Sequence, residues 1–323
     1  MSIWIDNGRT YAPWNVACDE FLLTQKTETA GMLWRNARSV IIGRNQDLKS
    51  EVNLEFCREN DIDVVRRVSG GGAVFHDLGN VNYSFASEGT SGFAEFARPL
   101  ISALAELGVT SELSGRNDIL VDGRKVSGCA HARHKNRSLF HGTLLFSADV
   151  SAMAGALLAG TEKLKSKGIA SVPARVANLS EFLPGMTVEE FMSKIRESLL
   201  ASGKFSLYTM TESDVASVDK LTSEKFANDA WTDGTLRGTK KVGGIRRASG
   251  SLEAWISVEN GKIKAARFTG DFFGTVSVEN LEAALAGCEY TRSGVSEHLK
   301  NLPLSDILHG FVAEDVLAVI FGK

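Results

Sequence analysis

The run Arg66-Arg67-Val68-Ser69-Gly70-Gly71-Gly72-Ala73-Val74-Phe75-His76 carries the residue types that an anion site needs. Consecutive glycines remove Cβ atoms, so backbone N–H groups can converge on a phosphate. Arg66 or Arg67 can add a bidentate contact. A bare glycine run also punctuates ordinary turns, so its flanks carry weight. A short strand at Asp63–Val65 enters the run, and alternating residues leave it, which hangs the loop between strand ends. Other glycine templates are missing. There is no Gly-x-x-x-x-Gly-Lys-Ser/Thr, no Gly-x-Gly-x-x-Gly and no Gly-x-Ser-x-Gly, which removes the phosphate-loop, dinucleotide and nucleophile-elbow readings.

Two further groups could do chemistry. Lys125 follows Asp122-Gly123 between two short β-like runs, a hairpin signal. Its stem would be held on a hydrogen-bonded ladder and its head would be a flexible point charge. Cys129-x-His131-x-x-His134 offers three metal-ligand types, but a structural zinc site normally takes four and no fourth lies nearby. With Arg133, Lys135 and Arg137 the same stretch reads as a basic loop that receives phosphate or an acidic acceptor surface. Cys129 itself reads as a small packing residue.

The elements that must position these groups follow from periodicity. Residues 39–43 form a short buried strand. Val81, Tyr83 and Phe85 alternate with Asn80, Asn82 and Ser84, a half-buried strand. Phe93, Phe96, Leu100, Leu104 and Leu107 fall at helical spacing and stop at Gly108. Residues 139–146 give another strand. Thr187 and Glu190 make a capping box for a helix whose apolar face is Phe191, Met192, Ile195 and Leu199. Strands and helices mix without regular βαβ alternation, so the expected fold is α+β on a mixed or antiparallel sheet. The stretch 234–250 is basic and rich in glycine and reads as a linker or mobile loop. Beyond it, an alternating hairpin around Asn260-Gly261 and helices near 278–286 and 313–320 predict a small α+β domain. The expected division is 1–235, a linker at 236–250, and 251–323.

Bulk properties narrow the classes. The chain has 323 residues, 36 Lys and Arg against 39 Asp and Glu, and a net charge of −3. That balance argues against nucleic acid as the main partner. The four cysteines form no Cys-x-x-Cys, which points to free thiols in a reducing compartment. Neither a signal-peptide layout nor a membrane-length apolar run is present, so the cytoplasm is the expected location.

Arg-Arg-Val-Ser-Gly-Gly-Gly-Ala-Val-Phe-His-Asp-Leu-Gly-Asn, beginning at Arg66, resembles the signature of the lipoate–protein ligases, a family within the biotin/lipoate ligase superfamily. The resemblance extends along the chain. Trp34-Arg35-Asn36 with Val40-Ile41-Ile42-Gly43-Arg44-Asn45-Gln46 is similar to the family's early strand and turn. Asn117-Asp118-Ile119 and Gly123-Arg124-Lys125-Val126-Ser127-Gly128 are similar to its catalytic lysine hairpin, and His141-Gly142-Thr143-Leu144-Leu145 to the next strand. Lys167-Gly168-Ile169-Ala170-Ser171-Val172 and Arg175-Val176-Ala177-Asn178-Leu179 resemble the segment before the capped helix. Gly270-Asp271-Phe272-Phe273-Gly274 resembles the small accessory domain of the two-domain members.

The resemblance implies a large-sheet catalytic domain and a small accessory domain. It implies ATP-dependent activation of lipoate to lipoyl-AMP, then transfer to a lysine of lipoyl domains in 2-oxoacid dehydrogenase complexes or of the glycine cleavage H protein. Lys125 is the implied catalytic residue, bridging the carboxylate and the α-phosphate. Arg67, Gly72, Ala73, Val74 and Phe75 are implied to join Lys125 around ATP. Ser69, Gly70, Gly71, His76 and His141 are implied to join Lys125 around lipoate. Asp118 is the candidate Mg²⁺ ligand, since magnesium takes one or two carboxylates plus phosphate oxygens. Neither nucleic acid nor membrane is an expected partner, and the expected state is a monomer.

The chain departs from the family around 227–250, where only Trp231 of an aromatic-rich region is recognisable. That departure keeps a transferase using preformed lipoyl-AMP as a rival reading. Cys129 keeps a cysteine-dependent octanoyl or lipoyl transferase as another. A biotin ligase would need a Gly-Arg-Gly-x-x-Gly loop, which is missing, and no DNA-reading element supports a regulatory module.

Overall fold

A computed structural model describes residues 2–89, 92–114, 117–158, 176–234 and 238–322. The motif at 167–172 and Arg175 lie outside the described residues. In chain order the strands are β1 (Ser2–Asp6), β2 (Ala30–Trp34), β3 (Ser39–Ile42), β4 (Asp63–Arg66), β5 (Val74–His76), β6 (Asn80–Glu88) and β7 (Glu112–Ser114), then β8 (Asp118–Val121), β9 (Arg124–His134), β10 (Arg137–Leu145), β11 (Phe205–Tyr208), β12 (Lys240–Arg247), β13 (Gly250–Glu259) and β14 (Lys262–Thr269). They form two compact units. The first comprises 1–41, 49–66 and 74–232, and the second comprises 42–48, 67–73 and 233–323.

The first unit is built on an eight-stranded sheet in the order β11-β1-β2-β6-β10-β9-β8-β7. β1 runs parallel to β11 and β2, and the inner pairs from β2 to β7 are antiparallel. The sheet is therefore mixed, as the absence of βαβ alternation predicts. A smaller sheet, β4-β3-β5, lies in the same part of the chain.

Helices α1 (Ala12–Thr24), α2 (Phe93–Glu106) and α3 (Val188–Ala201) belong to this unit. The apolar stripe of α2 buries Phe96, Leu100 and Leu104, and the chain leaves it through Gly108 at φ +83°. α3 starts at a capping box: Thr187 Oγ1 accepts from the Glu190 N–H at 3.2 Å, and Glu190 accepts from the Thr187 N–H at 2.8 Å. Its Phe191, Ile195 and Leu199 join one core with Val81, Tyr83, Phe85, Phe140 and Leu144 of the sheet.

The other face of the sheet is covered by α1, which packs on β6, β9 and β10. β6, expected to be half-buried, is thus buried on both faces from Asn80 to Ser87. Its alternation of apolar and polar residues separates two buried environments, not core from water.

In the second unit β12, β13 and β14 form an antiparallel sheet. Its core holds Leu252, Ala254, Ile256, Phe268, Phe272 and Ile320. The tight turn at Asn260 (φ 53°) and Gly261 (φ 73°) closes the expected hairpin. Residues 240–247, expected to be linker, form strand β12 at one edge of this sheet. The basic side chains suit an exposed edge. Gly243 is small because the Val319 carbonyl lies where a Cβ would be. Glycine here reflects close packing with helix Ala313–Phe321, not a mobile segment. Residues 67–73, expected to belong to the 1–235 domain, fall in the second unit instead. Among the described residues, no helix is long and apolar enough to cross a membrane.

Candidate active site

Lys125 sits where the hairpin signal places it. Asp122 (φ 49°) and Gly123 (φ 71°) make the turn from β8 to β9. The Lys125 carbonyl accepts from the Ala177 N–H at 2.9 Å, which fixes the backbone on both sides. Its ammonium lies 2.7 Å from Asp118 Oδ1, with the two side chains 39 % and 32 % exposed. Half-exposed ion pairs are worth about 0–1 kcal/mol. The pair is therefore easily opened by a competing anion, which is what a substrate-binding cation needs.

The register of the sheet places this pair in a row. Trp34 lies opposite Asn82, and Asn82 opposite Thr143. Thr143 Oγ1 accepts from the Gly128 N–H at 3.3 Å, and Gly128 lies opposite Asp118. Lys125 Nζ is 2.9 Å from the point a Gly128 Cβ would occupy. The absence of a side chain on Gly128 leaves the space that the lysine head fills.

One step along the same face, His141 and Ser84 meet Asp19 of α1. The His141 Nδ1 and Asp19 Oδ2 are 2.5 Å apart, and Ser84 Oγ donates to Asp19 Oδ1 at 2.5 Å. Trp34 Nε1 donates to Ser84 Oγ at 2.9 Å. The Trp34 ring meets His76 edge-on at 5.9 Å, and His76 Nδ1 is 3.1 Å from Asn36 Nδ2. His76 and His141, singled out separately, are thus joined through Trp34, Ser84 and Asp19. Asp19 is fully buried. It was not singled out in sequence, although a carboxylate inside the apolar run of α1 is a signal that a burial argument could have used.

The second unit holds the loop itself. Arg67 is buried and folds back on its own loop: Nε donates to Ser69 Oγ at 2.9 Å, and one terminal nitrogen donates to the Gly70 and Gly72 carbonyls at 2.6 and 2.9 Å. Gly71 takes φ +90°, a conformation side chains rarely adopt. Its N–H reaches the Phe272 carbonyl at 3.4 Å, and the Phe273 ring would stand 2.9 Å from a Cβ there. Ser69 and Gly70 are buried and Gly72 is exposed. Ala73 is half-buried. Val74, Phe75 and His76 continue as β5 in the first unit, paired with β3.

Arg66 is not an anion ligand in this arrangement. It is 2 % exposed and donates to the Trp231 carbonyl at 3.1 Å and to the Thr232 carbonyl at 2.7 and 3.0 Å. Trp231 Nε1 returns a bond to the Arg66 carbonyl at 2.8 Å. Trp231, the recognisable remnant of the divergent segment, therefore anchors β4.

The Cys-His-His reading does not assemble. Cys129 lies in the apolar core, and burial pushes its thiol up to about 12, so it is not an activated nucleophile. His131 stacks on Phe140 at 4.4 Å. Burial, aided by the charges of His141 and Arg133, lowers it to about 4. His134 is exposed. Among the described residues no three His, Cys, Asp or Glu side chains cluster as a metal site. Arg137, expected in a basic loop, is instead buried and caps α1 and its exit through the carbonyls of Leu22, Thr27 and Glu28 at 3.2, 2.7 and 2.9 Å. Arg133 and Lys135 are exposed.

The family model for the lipoyl protein ligase A/B catalytic domain matches residues 12–200, and that for the bacterial lipoate protein ligase C-terminus matches 244–320. The lipoate-protein ligase LplJ of Bacillus subtilis is 39 % identical, over 99 % of this chain and 100 % of its own. The bi-partite lipoate protein ligase of Thermoplasma acidophilum, described with its E2 lipoyl domain, superposes with a TM-score of 0.64 at 26 % identity, over 73 % of this chain and 97 % of that one. A lipoate-protein ligase A bound with ATP gives a TM-score of 0.62 at 25 % identity, over 73 % and 98 %.

Proposed function

The chain belongs to the lipoate–protein ligase family, and we propose that it carries out both half-reactions, adenylating lipoate with ATP and passing the acyl group to a lysine of a lipoyl domain. The observation that carries the reading is the Lys125–Asp118 pair, an openable cation above a row cleared of side chain at Gly128.

In the first half-reaction a lipoate carboxylate oxygen attacks the α-phosphorus and the bond to pyrophosphate breaks. Charge grows on the phosphate and the leaving group, and preorganised cations and N–H donors lower that barrier. Lys125 would hold the carboxylate against the α-phosphate. Arg67 braces the loop 69–72 through its carbonyls, and the loop, with Ala73, Val74 and Phe75, would hold the nucleotide by backbone. In the second half-reaction the neutral acceptor amine attacks the mixed anhydride, AMP leaves and a proton is released. No enzyme nucleophile is required, which agrees with the burial of Cys129.

Mg²⁺ fits one carboxylate here. Magnesium keeps waters and takes its remaining ligands from substrate phosphates, and Asp118 is a half-exposed carboxylate beside the lysine. When bound, the ion would neutralise phosphate charge. His76 and His141, with Ser69, Gly70 and Gly71, remain the residues proposed toward lipoate. Burial of an acyl chain yields about 0.8 kcal/mol per methylene, so octanoate should compete. The acceptors proposed are the E2 lipoyl domains of 2-oxoacid dehydrogenase complexes and the glycine cleavage H protein. The family relation supports them, as does the description of the archaeal ligase with its E2 domain.

The test is lipoate-dependent ATP–pyrophosphate exchange, run beside octanoate and biotin, together with transfer from synthetic lipoyl-AMP. Exchange with lipoate and octanoate but not biotin supports the reading. No exchange with intact transfer would assign a transferase instead.

A further inference from the structure

Asn82 has a side-chain donor with no partner among the described residues. The residue is 1 % exposed, and its Oδ1 accepts from Asn80 Nδ2 at 2.8 Å. Its Nδ2 is sealed from solvent and has no hydrogen-bond partner among the described residues; the same is true of Asn80 Oδ1. A buried unpaired polar group costs about 1–3 kcal/mol, and such groups are rare in folded proteins. An apolar residue would fill the position without that cost.

The position explains the retention. Val81, Tyr83 and Phe85 point into the core shared with α2 and α3. Asn82 therefore points to the opposite face, which carries Ser84, His141 and Asp19. It occupies the row Trp34, Asn82, Thr143, Gly128, Asp118. Lys125 Nζ stands over the Gly128 member of that row. Asn82 and Gly128 are two strands apart, about 10 Å at ordinary strand spacing. Asn80 holds the Asn82 amide by its oxygen, which fixes the direction of its N–H groups.

We propose that Asn82 is a further catalytic residue, whose Nδ2 donates a hydrogen bond to the acyl carbonyl oxygen that Lys125 faces. The inference rests on the reading of Lys125 given above. In the transfer step the carbonyl oxygen gains negative charge as the amine adds, then returns the electron pair as the bond to AMP breaks. A fixed donor in a dry site stabilises that charge without reorganisation. The cost of leaving the donor unpaired in the free enzyme is recovered when the acyl group arrives.

The test is transfer from synthetic lipoyl-AMP to an acceptor lipoyl domain by Asn82→Ala, with Ser87→Ala as control. Ser87 lies further along the same strand and also has a buried hydroxyl without a partner among the described residues. Asn82→Ala is expected to lower kcat about 100-fold with KM for lipoyl-AMP nearly unchanged, while Ser87→Ala keeps wild-type kcat. Asn82→Asp keeps an oxygen for Asn80 and removes the donor, so it should show the same kcat loss if Asn82→Ala folds poorly. A folded Asn82 variant with kcat within twofold of wild type, or with a loss confined to KM, would overturn the proposal. Absence of transfer in the wild type would instead count against the ligase reading.

Discussion

Asp19 and His141 meet inside the first unit, carboxylate Oδ2 against ring Nδ1 at 2.5 Å, with Ser84 holding the other carboxylate oxygen. Both residues are buried. A hydrogen bond to a charged group contributes about 1.5–3 kcal/mol. Asp19→Ala should therefore lower stability in urea by that amount and raise KM for lipoate through the loosened His141 ring. An unchanged urea midpoint with unchanged KM would show that the contact carries neither role.

The Arg66–Trp231 exchange of bonds predicts a stability effect. Arg66→Met leaves the Trp231 and Thr232 carbonyls without their donor. It should cost about 1–3 kcal/mol. Equilibrium denaturation reads this directly, and a variant as stable as wild type would contradict the anchoring role.

Cys129 is a packing residue in this account. Its thiol is pushed up to about 12 by burial and lies in the apolar core. Cys129→Ser should retain the transfer rate of the wild type at saturating substrate. Loss of transfer with lipoyl-AMP in a folded Cys129→Ser protein would instead point to a thioester route.

His131 makes stability depend on pH. Burial first, then the charges of His141 and Arg133, lowers it from 6.5 to about 4. Between those values the unfolded chain binds a proton that the native protein does not, so stability falls as pH drops through the window. Above it both states are neutral and the residue contributes nothing. His131→Phe should flatten the stability slope between pH 6.5 and 4, measured by urea denaturation against wild type. Equal slopes would contradict the burial argument.

The local geometry around the candidate site residues was legible because it is set by near neighbours. The Asp122-Gly123 turn, the Lys125 that follows it and the capping box at Thr187 and Glu190 are fixed by neighbours in sequence. What stayed hidden depends on distant pairings. Nothing near Arg66 says that its partners are the carbonyls of Trp231 and Thr232. Arg137 looks like its basic neighbours until α1 is placed beside it. The alternation in β6 does not reveal that its polar face is also buried, since period two marks a change of environment and not exposure to water. Glycines misled at 240–247 because close approach and turn formation leave the same composition.

The central claim is that Lys125 serves the chemical step of adenylation. Lipoate-dependent ATP–pyrophosphate exchange by Lys125→Ala, at saturating ATP and lipoate and with folding checked by urea denaturation, tests it most directly. Loss of exchange in a folded variant is expected, because the cation proposed to join carboxylate and α-phosphate is gone. Exchange at the wild-type rate would contradict it.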